Sequence, residues 1–203
     1  MIKIYNYGEV PVEEILARPE FAGGVEDTVS EIIADVRKNG DEALFRYTEK
    51  FDRAKLTSLE VTKEEIDEAF KSVDDKFIEI LKKAADNIRT FHEKQKRNSF
   101  IINEKQGTVM GQKILPVEKA GLYVPGGTAA YPSSVLMNCI PAAIAGVSEV
   151  IVVTPPTGGK VNPVILAAAV IGGADRIFSI GGAQAIAALA YGTQSIPRVY
   201  KIV

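Results

Sequence analysis

Residues 120–203 alternate between short apolar segments and helix-length segments, and glycine or proline stands at most of the junctions. Apolar runs of about four to eight residues are typical of buried strands, and the longer segments between them are typical of helices. The predicted strands are 120–124, 149–154, 175–180 and 198–203, and the predicted helices are about 133–145, 162–172 and 183–191. This alternation predicts a parallel sheet with right-handed crossovers and helices on both faces.

Several helix boundaries in this region carry their own signals. Asn162 followed by Pro163 is a typical helix start, because proline suits the first helical position. Ser133 or Ser134 is expected to cap the first helix, and Gly146 stands where that helix should end.

Glycine pairs follow two of the predicted strands, Gly126-Gly127 after the first and Gly181-Gly182 after the third. Ligands of open α/β sheets bind beyond the carboxyl ends of the strands. Glycine lets backbone amides approach a ligand closely, and a helix N-terminus favours anions. Neither turn matches a full dinucleotide fingerprint. Spacing alone therefore leaves two interpretations, a ligand-binding module whose ligand could be a nucleotide, or glycines that serve only turns and packing.

Tyr123 and Gln184 are the polar side chains best placed at these strand ends. A tyrosine ring could stack on a planar group, and a glutamine amide could hydrogen-bond a ribose or an amide. The alternatives are a half-buried strand residue for Tyr123 and a helix cap for Gln184.

Residues 1–120 differ sharply in charge, because they hold all but two of the 26 acidic and all but four of the 24 basic residues. Such a density of charge is typical of helices with solvated faces. The predicted helices are 25–39, 41–51, 62–73 and 75–97, and the predicted strands are 58–61, 99–103 and 108–116. We therefore divide the chain into a helix-rich region with short strands, residues 1–119, and a sheet region, residues 120–203.

Single residues mark the ends of these N-terminal helices. Gly40 stands at the end of the first, and Asp41 is expected to cap the second. Thr62 and Glu65 have the spacing of a capping box. The longest helix is expected to bury one face. That face consists of Phe77, Leu81, Ala84, Ile88 and Phe91.

Composition excludes several classes of function. A net charge of −2 excludes binding of nucleic acid driven by a basic surface. The single cysteine, Cys139, excludes a disulfide framework and a cysteine zinc cluster within one chain. The single histidine, His92, falls at the polar end of the longest helix and is predicted to be a surface residue. With no apolar run of about 18–20 residues and no signal-peptide pattern, we expect a cytoplasmic protein without a membrane partner.

The same segments resemble histidinol dehydrogenases along nearly the whole chain. The motifs that carry the resemblance are DEAL (41–44), KFD (50–52), GLYVPGG (121–127), PSSVLMN (132–138), VTPP (153–156), IGGAQAIAALAYGT (180–193) and IPRVYKIV (196–203). The glycine–alanine motif is much more specific than a bare glycine fingerprint. Tyr200 departs from the family pattern, which usually has aspartate there.

The resemblance implies NAD-dependent oxidation of L-histidinol through the aldehyde to L-histidine, with two NAD molecules reduced, in histidine biosynthesis. It implies a zinc-containing homodimer with incomplete Rossmann-like domains and an aldehyde-dehydrogenase-like architecture. Zinc holds the substrate, and a Glu-His pair moves protons. Two NAD-contacting positions of the family correspond to Tyr123 and Gln184.

The rest of the family's site has no counterpart in this sequence. A G-P-G-N segment with the third NAD contact would follow Val203, and the substrate serine, zinc ligands and Glu-His pair come later still. The only acids of the sheet region, Glu149 and Asp175, fall at predicted strand starts, away from the ligand-binding edge. We therefore expect an N-terminal fragment of a longer enzyme, inactive alone, with no catalytic or metal-binding residue of its own.

Two alternatives stay open at this stage. One is a related dehydrogenase of another small alcohol, and the other is a natural short protein that binds NAD or a partner without catalysis. The coding DNA separates the fragment from the short protein. An open frame that continues into G-P-G-N supports the fragment, and a stop codon after Val203 supports the short protein.

Overall fold

The computed structural model describes residues 3–17, 24–126 and 130–203. The helices in these ranges are α1 (Val12–Leu16), α2 (Glu26–Asn39), α3 (Asp41–Tyr47), α4 (Lys63–Ser72), α5 (Asp75–Glu93), α6 (Pro132–Ala145), α7 (Pro163–Gly172) and α8 (Gly182–Tyr191). A π-helical turn, Thr48–Asp52, continues α3. The strands are β1 (Phe100–Lys105), β2 (Thr108–Gln112), β3 (Lys119–Tyr123), β4 (Glu149–Thr154), β5 (Arg176–Ser179) and β6 (Lys201–Ile202).

Four of the strands form one parallel sheet in the order β5-β4-β3-β6. Gly121 of β3 lies opposite Ile151 of β4 on one side and Ile202 of β6 on the other. Counted from β3 as the first strand, the order is 3-2-1-4, as in the first part of a Rossmann sheet. The predicted parallel sheet is therefore confirmed. Strands β4 and β5 are added on one side of β3 and β6 on its other side, so the strand order reverses at β3.

Helices cover both faces of this sheet, as predicted. On one face α6 and α7 pack on the strands, with α5 outside α6 and α4 outside α7. On the other face α8 lies on the sheet, with α2 and α3 packed against it. The helices of residues 1–119 thus pack directly onto those of residues 120–203. The proposed boundary between two domains at 119/120 stays a prediction.

Local signals located most helix ends correctly. Thr62 and Glu65 form the expected capping box, in which Glu65 N–H donates to Thr62 Oγ1 at 3.2 Å and Thr62 N–H donates to the Glu65 carboxylate at 2.8 Å. Asn162 caps α7 through Val164 N–H at 2.9 Å. Gly40, with φ +54°, ends α2 in a conformation that glycine adopts readily.

Two predicted caps are wrong. Asp41 does not cap α3, because its carboxylate accepts hydrogen bonds from Ser195 N–H at 3.3 Å and Ser195 Oγ at 2.6 Å. Neither Ser133 nor Ser134 caps α6, which begins one residue earlier at Pro132 without a side-chain cap. The N-cap position is therefore taken by Tyr131, whose side chain makes no capping hydrogen bond.

The longest helix, α5, ends at Glu93, earlier than predicted, and four of the five residues of its predicted buried face, Phe77, Leu81, Ala84 and Ile88, lie in or against the core. Ile78, Leu81 and Ala85 are buried, whereas Phe91, expected on the buried face, is 64% exposed. The buried face follows the positions that α6 and α7 cover, and the last turn of α5 is not covered in the same way.

The predicted strand 58–61 is reduced to one antiparallel bridge between Glu60 and Phe178 on the outer edge of β5. Ser179 N–H donates to Leu59 O at 2.7 Å, and Val61 N–H donates to Ile177 O at 2.9 Å. These bonds occupy edge groups that would otherwise offer a template for pairing with another chain. The predicted hairpin is confirmed as β1 and β2, which pair antiparallel and are solvent-exposed. In the described ranges, no helix combines the length and apolar character needed to span a bilayer.

The sole cysteine, Cys139, lies on α6 inside the core, and burial raises the pKa of its thiol to about 12. Because the thiolate is the reactive species, we expect a thiol reagent at pH 8 to label the native chain at least about a hundredfold more slowly than the chain in denaturant. Labelling with an aromatic disulfide reagent, followed by absorbance, measures both rates. Fast labelling of the native chain would contradict the burial of Cys139.

Candidate functional site

The carboxyl ends of β3, β4 and β5 meet at Pro155, the residue that follows β4. A Cβ atom placed on Gly126 would lie 2.5 Å from Pro155 Cγ, and one placed on Gly181 would lie 2.5 Å from Pro155 Cβ. Both glycines are therefore required by close packing against the proline ring. We call Tyr123, Gly126, Pro155, Gly181 and Gly182 the carboxyl-edge cluster.

The side chain of Tyr123 connects β3 with the start of α8. Its hydroxyl oxygen accepts a hydrogen bond from Gly182 N–H at 3.3 Å, and its ring is half-buried. Gly182 has φ +64°, in the left-handed region that favours glycine. The structure thus brings together the two turns that the sequence singled out. Gly127, the second residue of the first glycine pair, lies outside the described residues.

Gln184 is the most unusual side chain at this edge. It is only 1% exposed, and neither Oε1 nor Nε2 has a hydrogen-bond partner in the described part of the chain. It does not cap α8, which has no side-chain cap. Buried amides almost always have partners, because an unsatisfied polar group costs about 1–3 kcal/mol. This amide therefore has the property expected of a group whose partner comes from a ligand.

Gln184 also lies close to Gly182. A Cβ on Gly182 would fall 2.7 Å from Gln184 Oε1, so glycine at that position leaves room for the carboxamide. The N-terminus of α8, a helix of 10 residues without a side-chain cap, adds backbone amides and a positive field. The carboxyl edge therefore offers a hydrogen-bonding amide, a half-buried aromatic ring and an anion-favouring helix end, all around the start of α8.

The position of this edge in the sheet matters as much as its groups. Tyr123 ends β3, the strand at which the order of the sheet reverses, and Tyr123 N–H donates to Val203 O beyond β6 at 2.8 Å. A crevice at such a reversal is where open α/β sheets bind their ligands.

The opposite edge of the sheet is occupied by internal ion pairs. Glu149 contacts Lys119 Nζ at 2.7 Å and Arg176 at 3.6 Å, and the Asp175 carboxylate accepts from Val150 N–H at 2.7 Å. Both acids are used within the fold at strand starts, as predicted.

Arg176 also binds the Glu60 carboxylate. Two of its nitrogens donate to Glu60 at 2.7 Å each, and these bonds hold the pKa of Glu60 below its usual value.

His92 lies in the last turn of α5, with Nδ1 2.7 Å from Gln95 Oε1 and its ring against Phe91. Across the described ranges, no three side chains of histidine, cysteine, aspartate or glutamate come together as a metal site would require. These residues therefore do not fit a zinc ion, and no step through a metal is derived from them.

Sequence reasoning identified Tyr123 and Gln184 but missed two features of this edge. No role is predicted for Pro155, which directly follows the predicted strand 149–154, although it is the contact between both glycine turns. The unpaired state of Gln184 was also missed, because it depends on every neighbour in three dimensions. The only signal for Pro155 was its position, directly after an apolar strand that faces two glycine-containing turns.

Comparison with known proteins gives one consistent result. The family model described as histidinol dehydrogenase matches residues 17–203. The chain is 55% identical over 181 residues to a histidinol dehydrogenase of Syntrophotalea carbinolica, covering 88% of this chain and 42% of the relative. It is 50% identical over 204 residues to one of Bacillus cereus, covering 98% of this chain and 48% of the relative.

The same family is found by structure. The crystal structure of histidinol dehydrogenase from Elizabethkingia anophelis superimposes with a TM-score of 0.88 at 38% identity, covering 94% of this chain and 44% of that one. The chain matches the N-terminal part of its relatives and spans less than half of their length.

Proposed function

The chain belongs to the histidinol dehydrogenase family, and we propose that it forms the dinucleotide-binding part of an oxidoreductase that converts L-histidinol to L-histidine with NAD. The observation that carries this proposal is the buried amide of Gln184 at the N-terminus of α8, which has no hydrogen-bond partner among the described residues. Family membership supports the reaction and the substrate. The homodimer and the cytoplasmic location stay predictions.

The groups present at the carboxyl edge fit a dinucleotide. When bound, NAD supplies the hydride acceptor of the oxidation. The Gln184 carboxamide would donate a hydrogen bond to the ligand through Nε2 and accept one through Oε1. Neither atom has a partner among the described residues. The Tyr123 ring would face a planar group of the ligand, and the N-terminus of α8 would favour its phosphates.

We assign no catalytic and no metal-binding residue to this chain. An alcohol oxidation needs a proton acceptor near the reacting carbon. Tyr123 and Gln184 offer a hydroxyl and an amide at the carboxyl edge, and the acids of the sheet lie at its other end. The proton-transfer groups and the zinc ligands would therefore come from sequence outside these 203 residues.

The 203-residue chain alone is expected to produce no NADH from L-histidinol, with or without added zinc, because Gln184 and the described carboxyl-edge cluster include no carboxylate or imidazole to accept the proton. Absorbance of NADH, compared with a full-length relative under the same conditions, measures this. Turnover above background would contradict the assignment of catalysis to sequence outside the chain.

Replacing Gln184 by methionine is expected to weaken NAD binding about five- to thirtyfold while raising stability by about 1 kcal/mol. Methionine keeps the length of the side chain but removes the buried unpaired amide, which costs free energy in the ligand-free protein. Saturation-transfer NMR measures weak NAD binding to the chain, and urea unfolding measures stability. Gln112→Met, on the exposed strand β2, is the matched control and should change neither.

A purely structural role for Gln184 predicts the opposite pattern, with lower stability and unchanged NAD affinity. Tyr123→Ala gives a second, independent test, because it removes the ring that would face the ligand together with the hydroxyl that accepts from Gly182 N–H. Unchanged NAD binding in both variants would remove the two site assignments. If the unaltered chain binds NAD and both variants bind it equally well, the result would favour the alternative of a short protein that binds NAD without catalysis.

A further inference from the structure

A cavity of about 320 Å³ lies beside the outer edge of β5, between α4, the first turn of α7 and residues 56–61. Its volume is at the lower end of the range for ligand pockets, so it suits a small molecule. Buried apolar side chains line part of it, among them Ala69, Val161 and Leu166. None of the five residues of the carboxyl-edge cluster is among the lining residues, so this cavity is distinct from that cluster.

Two of the carboxylates that line the cavity already have partners within the protein. Arg176 holds the Glu60 carboxylate through two hydrogen bonds of 2.7 Å. The Glu65 carboxylate accepts from Thr62 N–H at 2.8 Å as part of the capping box of α4. The remaining charged groups of the lining are Glu68 and Lys160, one of each sign, and neither makes an ion pair with the described residues.

The hydroxyl groups of the cavity divide in the same way. Ser58 Oγ donates to Glu60 O at 3.1 Å, and Ser72 Oγ donates to Ala69 O at 2.8 Å. Ser179, the last residue of β5, is 7% exposed, and its Oγ has no partner among the described residues. Since a buried hydroxyl without a partner is unfavourable, Ser179 offers a hydrogen-bonding group to a polar atom of a ligand in the cavity.

We propose that this cavity binds a free α-amino acid. Its carboxylate pairs with Lys160, its ammonium group pairs with Glu68, and a polar atom of its side chain bonds to Ser179 Oγ. The carbon chain between them lies against the apolar lining. The Glu68 carboxylate would repel a simple anion, and the Lys160 ammonium group would repel a simple cation. A zwitterion therefore matches these two charges best. The proposal is independent of NAD binding.

Isothermal titration of the chain with L-glutamine tests this proposal, because glutamine has the two charges and a polar side-chain end. We expect a Kd of about 1 mM or lower. Three analogues each lack one recognised group. Glutaramic acid lacks the ammonium group, 4-aminobutanamide lacks the carboxylate, and L-norleucine lacks the polar end. Each is expected to bind at least about threefold more weakly than glutamine, as for partly exposed charge pairs.

Three variants then match the three analogues. Lys160→Met should weaken glutamine binding about threefold or more without affecting 4-aminobutanamide, and Glu68→Gln should do the same without affecting glutaramic acid. Ser179→Ala should weaken glutamine but not norleucine. Lys160 and Glu68 are exposed, so their replacement leaves the fold intact. No measurable binding of either glutamine or norleucine, or glutamine binding unchanged in both charge variants, would overturn the proposal.

Discussion

Replacing Phe178 by alanine is expected to lower the free energy of unfolding by about 3–5 kcal/mol, the range for removing a buried aromatic side chain. Phe178 is fully buried in the core between the sheet and the layer of α2, α3 and α8. The loss would be a large part of the stability of an ordinary domain, which is about 5–15 kcal/mol. Urea unfolding followed by circular dichroism measures the difference.

Part of the expected loss comes from the ion-pair network at the start of β5. The Arg176 guanidinium lies 4.8 Å from the centre of the Phe178 ring, and the same side chain holds Glu60 and donates to Ser195 O at 3.0 Å. Without the ring, Arg176 loses the surface on which it lies. The aromatic side chain thus supports contacts to two segments that are distant in sequence.

Matched variants keep this prediction testable. Phe91→Ala removes an equally large side chain that is 64% exposed, and it should cost less than about 1 kcal/mol. Phe178→Leu, which keeps most of the volume, should cost about 1–1.5 kcal/mol and gives a folded protein if the alanine variant does not fold. Equal losses in Phe178→Ala and Phe91→Ala would show that the core packing described around Phe178 is wrong.

The parallel sheet and most helix ends could be predicted from the sequence because their causes are local. Glycine at Gly40 and Gly146, the pair Asn162-Pro163 and the spacing of Thr62 and Glu65 act within one helical turn, and the structure has each of them in the expected role. The apolar runs of β3 and β4 are buried on both faces of the sheet, so these strands can be predicted from the sequence without knowing their neighbours.

The features that sequence reasoning missed depend on residues far apart in the chain. Asp41 was expected to bond within its own helix, but Ser195 offers it a backbone and a side-chain donor 154 residues away. Phe91 fits the helical period and is still exposed, because periodicity does not show where a neighbouring helix stops. For the candidate site, residue type and position at a strand end indicated Gln184, whereas its lack of partners required the surrounding structure.

The contact of Pro155 with two glycine turns gives a prediction that only this geometry explains. Gly126→Ala and Gly181→Ala are each expected to lower stability by about 1–3 kcal/mol, as overpacking does, because the added methyl group would press on the rigid proline ring. Neither glycine has a positive φ, so the backbone itself accepts alanine. Urea unfolding of each variant measures the loss.

The decisive measurement adds Pro155→Ala to each of these variants. The atom that a Cβ on Gly126 would meet is Pro155 Cγ, which alanine lacks, whereas the atom that a Cβ on Gly181 would meet is Pro155 Cβ, which alanine keeps. Pro155→Ala should therefore recover most of the stability lost in Gly126→Ala and little of that lost in Gly181→Ala.

In a double-mutant cycle, the first pair should show a coupling of about 1–2 kcal/mol and the second pair should be nearly additive. Equal coupling in both cycles would contradict the arrangement of the three strand ends around Pro155. Because these strand ends form the candidate dinucleotide site, NAD binding should follow the same order, with the Gly126→Ala/Pro155→Ala double variant closer to the unaltered chain than the Gly181→Ala/Pro155→Ala double variant.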